Sequence, residues 1–596
     1  MPLIKGAKRR IFRWICQVVL AKKWGILIKK ESKSLIFTGL KIPRDYTNVR
    51  RKSMKNKFFK RMLSMVAAST MLVGCLAGCG NQNTPVNTSE SNPATTETTV
   101  SETQVVEEPT ELTYWADLDA NAAVAITNLG EIQYLQDMAA DANVEIEYFH
   151  PAAGTASEQF NLKIAGNNWE DIVEYKWSDY PGGATQAITD GIIIDLAPYI
   201  DEYAPNFAAY LEANPHVKKQ LVSEKGQIYG FPAIGSSAVS VTAGFVVRKD
   251  WLEQLNMDVP TTIAEWEEML TGFKNTFGAE RPLTLIKNDL IGNRVYFAGA
   301  WGVYPGFYVD NGTVKYGFME EGFKGYLTTM HDWAEKGLLD VDSFGNDNKI
   351  IQSNLLNNKS GASYGFVGSL IGTVMGSAAE TNPDMDLVGV QHPVLKEGDE
   401  PDFMRYTWEV RAENACAITT ACEDIEAAMR FLDQYYTEEG IIAKNFGTEG
   451  VSYEMVNGKP VYTDLIMKNP DGLAITEALG KYTRAAYTCV GIIDAGYYEQ
   501  YYTLPQQSEA QVLWNKYSTN AIDVTYPPVS HTTEESEELA LITTAVNTYV
   551  EEECTKFITG KRSLDEFDDF VEELKNMQIE KAIEIKQEAY NRFMAR

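Results

Sequence analysis

Glu111-Leu112-Thr113-Tyr114-Trp115, Val144-Glu145-Ile146-Glu147-Tyr148-Phe149 and Asp171-Ile172-Val173-Glu174-Tyr175 are three strand-like runs separated by helix-like stretches. The second alternates apolar and polar residues, the period of a strand with one face toward a core. Between the strands, Ile126–Ala142 and Ala156–Ala165 read as helices, and Gly183–Asp190 follows as another. Strand and helix alternating in this way predict a mainly parallel α/β sheet. Beyond it the chain turns more helical, over Ile263–Thr276, Gly322–Lys336, Ile425–Glu438, Glu534–Phe557 and a last amphipathic stretch, Leu564–Phe593. Thr559-Gly560-Lys561-Arg562-Ser563 forms the turn before that stretch. No internal repeat is seen.

Upstream of the first strand the character changes. Residues 80–111 are rich in Asn, Thr, Ser, Glu and Pro and lack aromatic side chains, so they cannot bury enough apolar surface to offset chain entropy and are expected to be a tether. Before the tether, Met54-Lys55-Asn56-Lys57-Phe58-Phe59-Lys60-Arg61 leads into an apolar run ending at Gly78, the pattern of a secretory signal. The run closes on Leu72-Val73-Gly74-Cys75 and Leu76-Ala77-Gly78-Cys79, two overlapping lipoprotein cleavage signatures. Cys79 is the favoured lipidation site, since the longer apolar run and the polar Gly80-Asn81-Gln82 suit it; Cys75 is the alternative. A lipid anchor attaches a protein to the membrane without spanning it. Residues 1–53 are expected to be a mis-assigned upstream extension, with Met54 as the true start: apolar stretches such as Trp24–Ile28 are too short to span a bilayer.

The whole chain has 596 residues, 53 Lys+Arg and 82 Asp+Glu. Residues 1–78 carry a net +17, leaving −46 on the remainder. A body so acidic repels phosphate backbones and anionic lipid, which argues against nucleic-acid partners. Five His and the lack of a Cys-x-x-Cys pair argue against zinc.

Lys225-Gly226-Gln227-Ile228-Tyr229-Gly230-Phe231-Pro232, Val246-Val247-Arg248-Lys249-Asp250-Trp251-Leu252 and Val259-Pro260-Thr261-Thr262 with Glu265-Trp266 then follow in order. Farther on stand Trp333-Ala334-Glu335-Lys336-Gly337-Leu338-Leu339, Gly447-Thr448-Glu449-Gly450-Val451-Ser452-Tyr453, Asn457-Gly458-Lys459, Pro527-Pro528 and Phe557-Ile558-Thr559-Gly560. Together with the lipoprotein signature, this ordered set resembles the family 1 extracellular solute-binding lipoproteins of carbohydrate ABC importers, from about Leu112 to Phe593. The resemblance implies a two-lobed, type II binding-protein fold of class α/β, with hinge strands, a helical C-terminal tail and ligand in the cleft. It places residues 112–240 and about 411–480 in one lobe, and about 245–408 and 485–596 in the other. Crossings are expected near Ser236–Gly244 and Trp408–Ala415. The implied function is capture of an oligosaccharide and delivery to a membrane permease, without catalysis or cofactor, by a monomer anchored on the extracellular face.

Sugars are recognised by flat aromatic faces and by planar polar groups that bond neighbouring hydroxyls. Ligand candidates are therefore aromatic and polar residues at strand ends and in Gly/Pro-rich loops. Trp115 and Asp117 end the first strand. Tyr175, Trp177 and Tyr180 follow the third. Trp301 and Tyr304 sit in Gly299-Ala300-Trp301-Gly302-Val303-Tyr304-Pro305-Gly306, and Tyr364 and Phe366 in Gly361-Ala362-Ser363-Tyr364-Gly365-Phe366. Trp408, Glu409 and Arg411 mark the second crossing, and Tyr453 follows Glu449-Gly450. Trp251, Trp266 and Trp333 lie in helical patterns and are expected in the core.

Some members of the family that bind acidic oligosaccharides carry a calcium loop after the Thr-Glu-Trp helix. Here that position reads Lys274-Asn275-Thr276-Phe277-Gly278-Ala279-Glu280-Arg281, without oxygen ligands at alternate positions, so no metal is expected there. Asp340, Asp342, Asn346, Asp347 and Asn348 are read as a solvated loop. Cys416, Cys422, Cys489 and Cys554 are expected to be buried thiols, with a Cys416–Cys422 bridge left open. Readings from other classes are a binding protein for peptide or another solute, a secreted glycoside hydrolase with paired carboxylates, and a surface adhesin.

Overall fold

The computed structural model describes residues 108–235, 241–292, 296–403, 406–484 and 489–596, with Gln104–Arg596 forming one compact unit. The expected extension, the signal, Cys75, Cys79 and nearly all of the tether lie outside the described residues, as do residues 236–240 of the expected first crossing. In chain order the strands are β1 (Thr110–Ala116), β2 (Val144–Phe149), β3 (Ile172–Tyr175), β4 (Phe231–Ile234), β5 (Ala243–Arg248), β6 (Phe307–Asp310), β7 (Thr313–Tyr316), β8 (Ala362–Phe366), β9 (Leu387–Val390), β10 (Val410–Ile418), β11 (Tyr453–Val456), β12 (Lys459–Tyr462) and β13 (Gly491–Ile492).

Six of these form the first sheet, in the order β13–β4–β10–β3–β1–β2. The pairs β1–β2, β1–β3 and β4–β13 are parallel. β10 runs antiparallel to both of its neighbours, β3 and β4. β2 keeps Val144 and Tyr148 buried and its glutamates exposed, as its alternation predicts. The core of this first body gathers Leu112, Tyr114, Ile172, Phe231, Ile418 and Leu432. The second sheet, β8–β5–β9, is antiparallel throughout and so departs from the mainly parallel expectation. Its body buries Phe245, Phe273, Phe297 and Val390 with the expected core residues Trp251, Trp266 and Trp333. The two sheets, each with its own core, make a two-lobed α/β fold.

The chain leaves the first sheet after β4 to enter β5 and returns from β9 into β10. A third passage follows β13. Gly491–Ile492, in the stretch that the sequence assigns to the second lobe, pairs with Ala233–Ile234 in the first sheet. Phe446, Tyr462, Leu479 and Tyr497 share a core with Val246, Val367 and Trp514, so residues beyond the hairpin β11–β12 pack against the second body too.

Three expected helices are shorter or broken, each for a local reason. Asn128 and Glu131 form a capping box around a 3₁₀ turn, which delays the first helix to Gln133–Asp141. Helix Ile425–Asp433 gives way to the turn Gln434–Tyr436, after which Thr437 caps a new helix, Glu438–Phe446. The last stretch divides into Phe567–Asn576 and Ile579–Ala595 at Gln578, whose φ of 67° no helix continues. All four described cysteines are buried and none is in a disulfide, so Cys416 and Cys422 form no bridge. Asp340 accepts from Asn346 and pairs with Arg281 at 3.2 Å, and Asp347 caps helix Asn348–Leu356.

The end of the last helix ties the two bodies together. Arg592 bonds Glu224 of the first body at 3.0 Å and, with its other nitrogens, both oxygens of Glu535 at 2.9 and 2.6 Å. Arg596 also reaches Glu224, at 3.1 Å. Burial opposes ionisation of Glu535, but Arg592 and the Thr532 backbone outweigh it and hold its pKa below the usual range. Stability from a depressed carboxylate is present above the unfolded-state pKa and is lost as pH falls through the folded value. Glu535→Gln should therefore cost about 1–3 kcal/mol at pH 7. Urea unfolding repeated at falling pH should show the gap to the parent closing from about pH 5 downward.

Candidate functional site

The register of the sheets defines which strand ends face the junction. The carboxyl ends of β1, β3 and β4 and the amino end of β10 lie at one edge of the first sheet, since Ala415 opposes Tyr175 and Val410 opposes Ile234. In the second sheet the corresponding edge holds the start of β5 and the ends of β8 and β9, with Ala243 opposite Phe366 and Phe245 opposite Val390. Ligands of open α/β sheets sit at such carboxyl edges.

On the first body, Asp117 is exposed just past β1, and partial burial raises its pKa. Next to it, His150 Nε2 accepts from the Leu129 N–H at 3.1 Å, so Nδ1–H donates to the Ala116 carbonyl at 2.9 Å. Trp115 is 3% exposed, edge-on to Tyr175 with ring centres 5.7 Å apart and with the Lys163 ammonium 5.4 Å from its own ring centre. Tyr175 is half-buried. Tyr180 is buried and donates to Asp190 at 2.9 Å, and burial with that carboxylate pushes its hydroxyl up to about 12. Trp177 corrects the sequence expectation: it is fully buried among Phe160, Val173 and Trp169, and its indole N–H donates to the Val173 carbonyl at 3.2 Å. It supports the strand ends and offers no face to a ligand.

On the second body, Tyr364 is also buried, stacked on Tyr296 at 5.2 Å, whereas Phe366 at the end of β8 is half-buried. Tyr304 is half-buried and 6.3 Å from Tyr296. Trp301 opens onto a hollow of about 500 Å³ shared with Tyr308, Lys315, Phe403 and Asn520. Glycine fixes this tryptophan, since a Cβ at Gly325 would stand 2.5 Å from its ring. In the connecting segment, Trp408 donates to the Tyr526 carbonyl at 3.2 Å and meets Tyr406 edge-on. Glu409 lies 2.9 Å from His216, and the Arg411 guanidinium packs over Gly235. Asp117 and Tyr175 thus lie at the carboxyl edge of the first sheet, Phe366 at the end of β8, and Trp408, Glu409 and Arg411 at the start of β10. Tyr453 stands apart from that set: it lines a different hollow, of about 770 Å³, on the first body with Tyr134, Asp137, Arg430 and Asp433.

A buried polar network, invisible in the sequence, sets the strand ends of the first body. Tyr114 on β1 donates to Glu174 on β3 at 2.5 Å, and the Cys416 thiol on β10 lies 2.8 Å from the same hydroxyl. Arg484, in a left-handed conformation at the end of helix Ile475–Thr483, pairs with Glu174 at 2.8 Å, both side chains 5% exposed or less. Lys444 is wholly buried nearby, and desolvation lowers its pKa.

No protein-family model matches the chain. It is 24% identical over 578 residues to the fructooligosaccharide ABC transporter substrate-binding protein FusA of Streptococcus pneumoniae, covering 91% of this chain and 99% of that one. The structure of FusA in complex with kestose matches with a TM-score of 0.67 at 21% identity, over 81% of this chain and 99% of that one. Lipoprotein LipO of Bacillus subtilis is 24% identical over 341 residues, 55% of this chain and 64% of its own length. The structure of alginate-binding protein AlgQ2 without calcium ion matches with a TM-score of 0.66 at 24% identity, over 81% of this chain and 98% of that one. The chain is a relative of the substrate-binding proteins of ABC transporters and shares their fold.

Two outcomes are expected from this arrangement. Trp177→Ala should lower unfolding stability in urea by about 3–5 kcal/mol, as removal of a large core side chain does. Arg484→Met, which leaves Glu174 charged and unpaired, should cost about 3–5 kcal/mol, and Arg484→Met combined with Glu174→Gln should recover part of that loss.

Proposed function

We propose that this chain is the substrate-binding subunit of an ABC importer, taking an oligosaccharide between its two bodies and handing it to the permease. The observation that carries the reading is the pair of sheets linked through the neighbouring strands β4 and β10, whose ends carry half-buried aromatic rings and planar polar groups. Tyr175, Phe366 and Trp408 supply faces for the C–H side of a sugar ring, while Asp117, Glu409 and Arg411 can bond hydroxyls in pairs. Closure of the bodies would trap the ligand, and the permease would respond to the closed form. The kestose complex of FusA supports an oligosaccharide ligand, and the name of LipO supports lipid anchoring. In this reading the protein is a monomer, lipidated at Cys79 and held on the extracellular face of the membrane, and it catalyses nothing.

The test is a thermal-shift and calorimetric screen of the protein against neutral and acidic oligosaccharides, with product analysis of each mixture. A ligand at a hundredfold excess over its dissociation constant should stabilise the fold by about 2.7 kcal/mol, and the glycan should be recovered uncut. Shifts with peptides alone would keep the importer and overturn the sugar. Cleavage of a glycan would replace the receptor with a hydrolase.

A further inference from the structure

The hollow onto which Trp301 opens is a cavity of the second body with an assembled wall. Four stretches distant in the chain meet around its about 500 Å³: residues 301–303, the hairpin β6–β7 with the start of helix Glu321–Glu335, Asp402 with Phe403, and Asn520 with Val524. That volume lies within the roughly 300–1,000 Å³ of small-molecule sites. The Val309 N–H donates to the Val524 carbonyl at 2.9 Å and Tyr308 bridges to Thr525, which pins the hairpin in place. Two residues past Val524, the Tyr526 carbonyl accepts the indole N–H of Trp408, so the wall is continuous with the connecting segment. The aromatic lining is Trp301 and Phe403, both half-buried, and the buried Tyr308, edge-on to Phe403 at 5.8 Å. Gly322 and Gly325 seat the tryptophan, since a Cβ on either would stand 2.5 Å from its carbonyl or its ring. The polar lining centres on Lys315, 2.9 Å from Asp310 and 3.9 Å from Glu320. The Lys315–Asp310 hydrogen bond holds that carboxyl below the usual range and raises the ammonium, so both are charged at neutral pH.

We propose that this hollow is a carbohydrate subsite of the second body, taking one non-acidic sugar unit of the oligosaccharide. The inference rests on the sugar-receptor reading above and adds to it a site and a substrate class. Aromatic faces suit the C–H side of a sugar ring, and Lys315 beside Asp310 sets donor and acceptor side by side for neighbouring hydroxyls. Their ion pair already orders both side chains, so less freedom is lost when a ligand arrives. With Glu320, Glu321 and Asp402, four carboxylates stand against one ammonium, an excess of three negative charges. Like charges set face to face suppress the wrong partner, and the one cation that could pair with a uronate is already engaged. A hydroxyl donates to these carboxylates without that penalty.

The experiment titrates the parent, Trp301→Ala, Asp402→Ala and Asp402→Lys with kestose, maltotriose and trigalacturonate by calorimetry, and follows the unfolding of each. The parent should bind a neutral probe more tightly than trigalacturonate. Trp301→Ala should lose about tenfold or more in affinity for that probe, as truncation of an aromatic anchor does. Trp301 also packs on the core, so the Asp402 variants, at an exposed rim position, test the hollow without disturbing the fold. Asp402→Ala should lose about threefold or more, the worth of one hydrogen bond, at an unchanged unfolding midpoint. Asp402→Lys should narrow the preference against trigalacturonate. Parent-like affinity in both Trp301→Ala and Asp402→Ala would overturn the subsite and leave the sugar receptor standing. A loss confined to Trp301→Ala would make that ring a packing residue and overturn the subsite equally. Tighter binding of trigalacturonate by the parent would overturn the non-acidic class. A parent that binds peptides and no glycan would remove the sugar reading itself.

Discussion

The insertion of β10 between β3 and β4 is the constraint on which the first body depends. Without it the β4–β13 pair has no neighbour, and the sheet falls into two unconnected parts. The strand that joins them reaches the sheet only after the chain has built the second sheet, so the first sheet cannot be completed from local sequence. Its closure carries the loop entropy of that whole excursion. The same topology makes the junction. The chain leaves through β4 and returns through β10, and these strands are hydrogen-bonded neighbours with Val410 opposite Ile234. The Gly235 N–H donates to the Glu409 carbonyl at 2.8 Å, which carries the pairing up to the crossing itself.

The buried polar network reinforces that insertion. Tyr114, Glu174 and Cys416 come from β1, β3 and β10, three strands adjacent in the sheet, and meet at one carboxylate that Arg484 neutralises. In a low-dielectric interior such a network holds only if its members are in register. A slip of β10 by one residue would turn Cys416 to the other face of the sheet and break the cluster. The price in desolvation is met by directional bonds that fix the edge carrying Asp117 and Tyr175.

Much of the fold is legible in the sequence because periodicity reports burial directly. β2 stands where its alternation puts it, and the expected helix Ile263–Thr276 runs one residue further, to Phe277. What is not legible depends on partners distant in the chain. The antiparallel sense of β10 and the third passage through β13 follow from pairing with strands more than a hundred residues away. Breaks such as Gln578 are a single residue with positive φ, where neighbouring helical patterns are continuous enough to read as one. The interbody tie at Glu224 is likewise hidden, since nothing local distinguishes Arg592 from any other helical arginine.

The candidate site shows where local signals divide. Trp177, in the loop after the third strand, and Trp301, in a Gly-rich run, both read as ligand candidates in the sequence. Trp177 turns back so that its N–H finds the Val173 carbonyl of the strand it follows, and the ring closes a cluster of Phe160 and Trp169. Trp301 meets Gly322 and Gly325, whose missing side chains make room for it, and keeps part of its ring toward an open hollow. The choice between support and recognition is made by what stands opposite, a carbonyl in one case and two glycines in the other. Recognition residues in this fold are thus set by the packing behind them, so the layer beneath the cleft decides which rings reach a ligand.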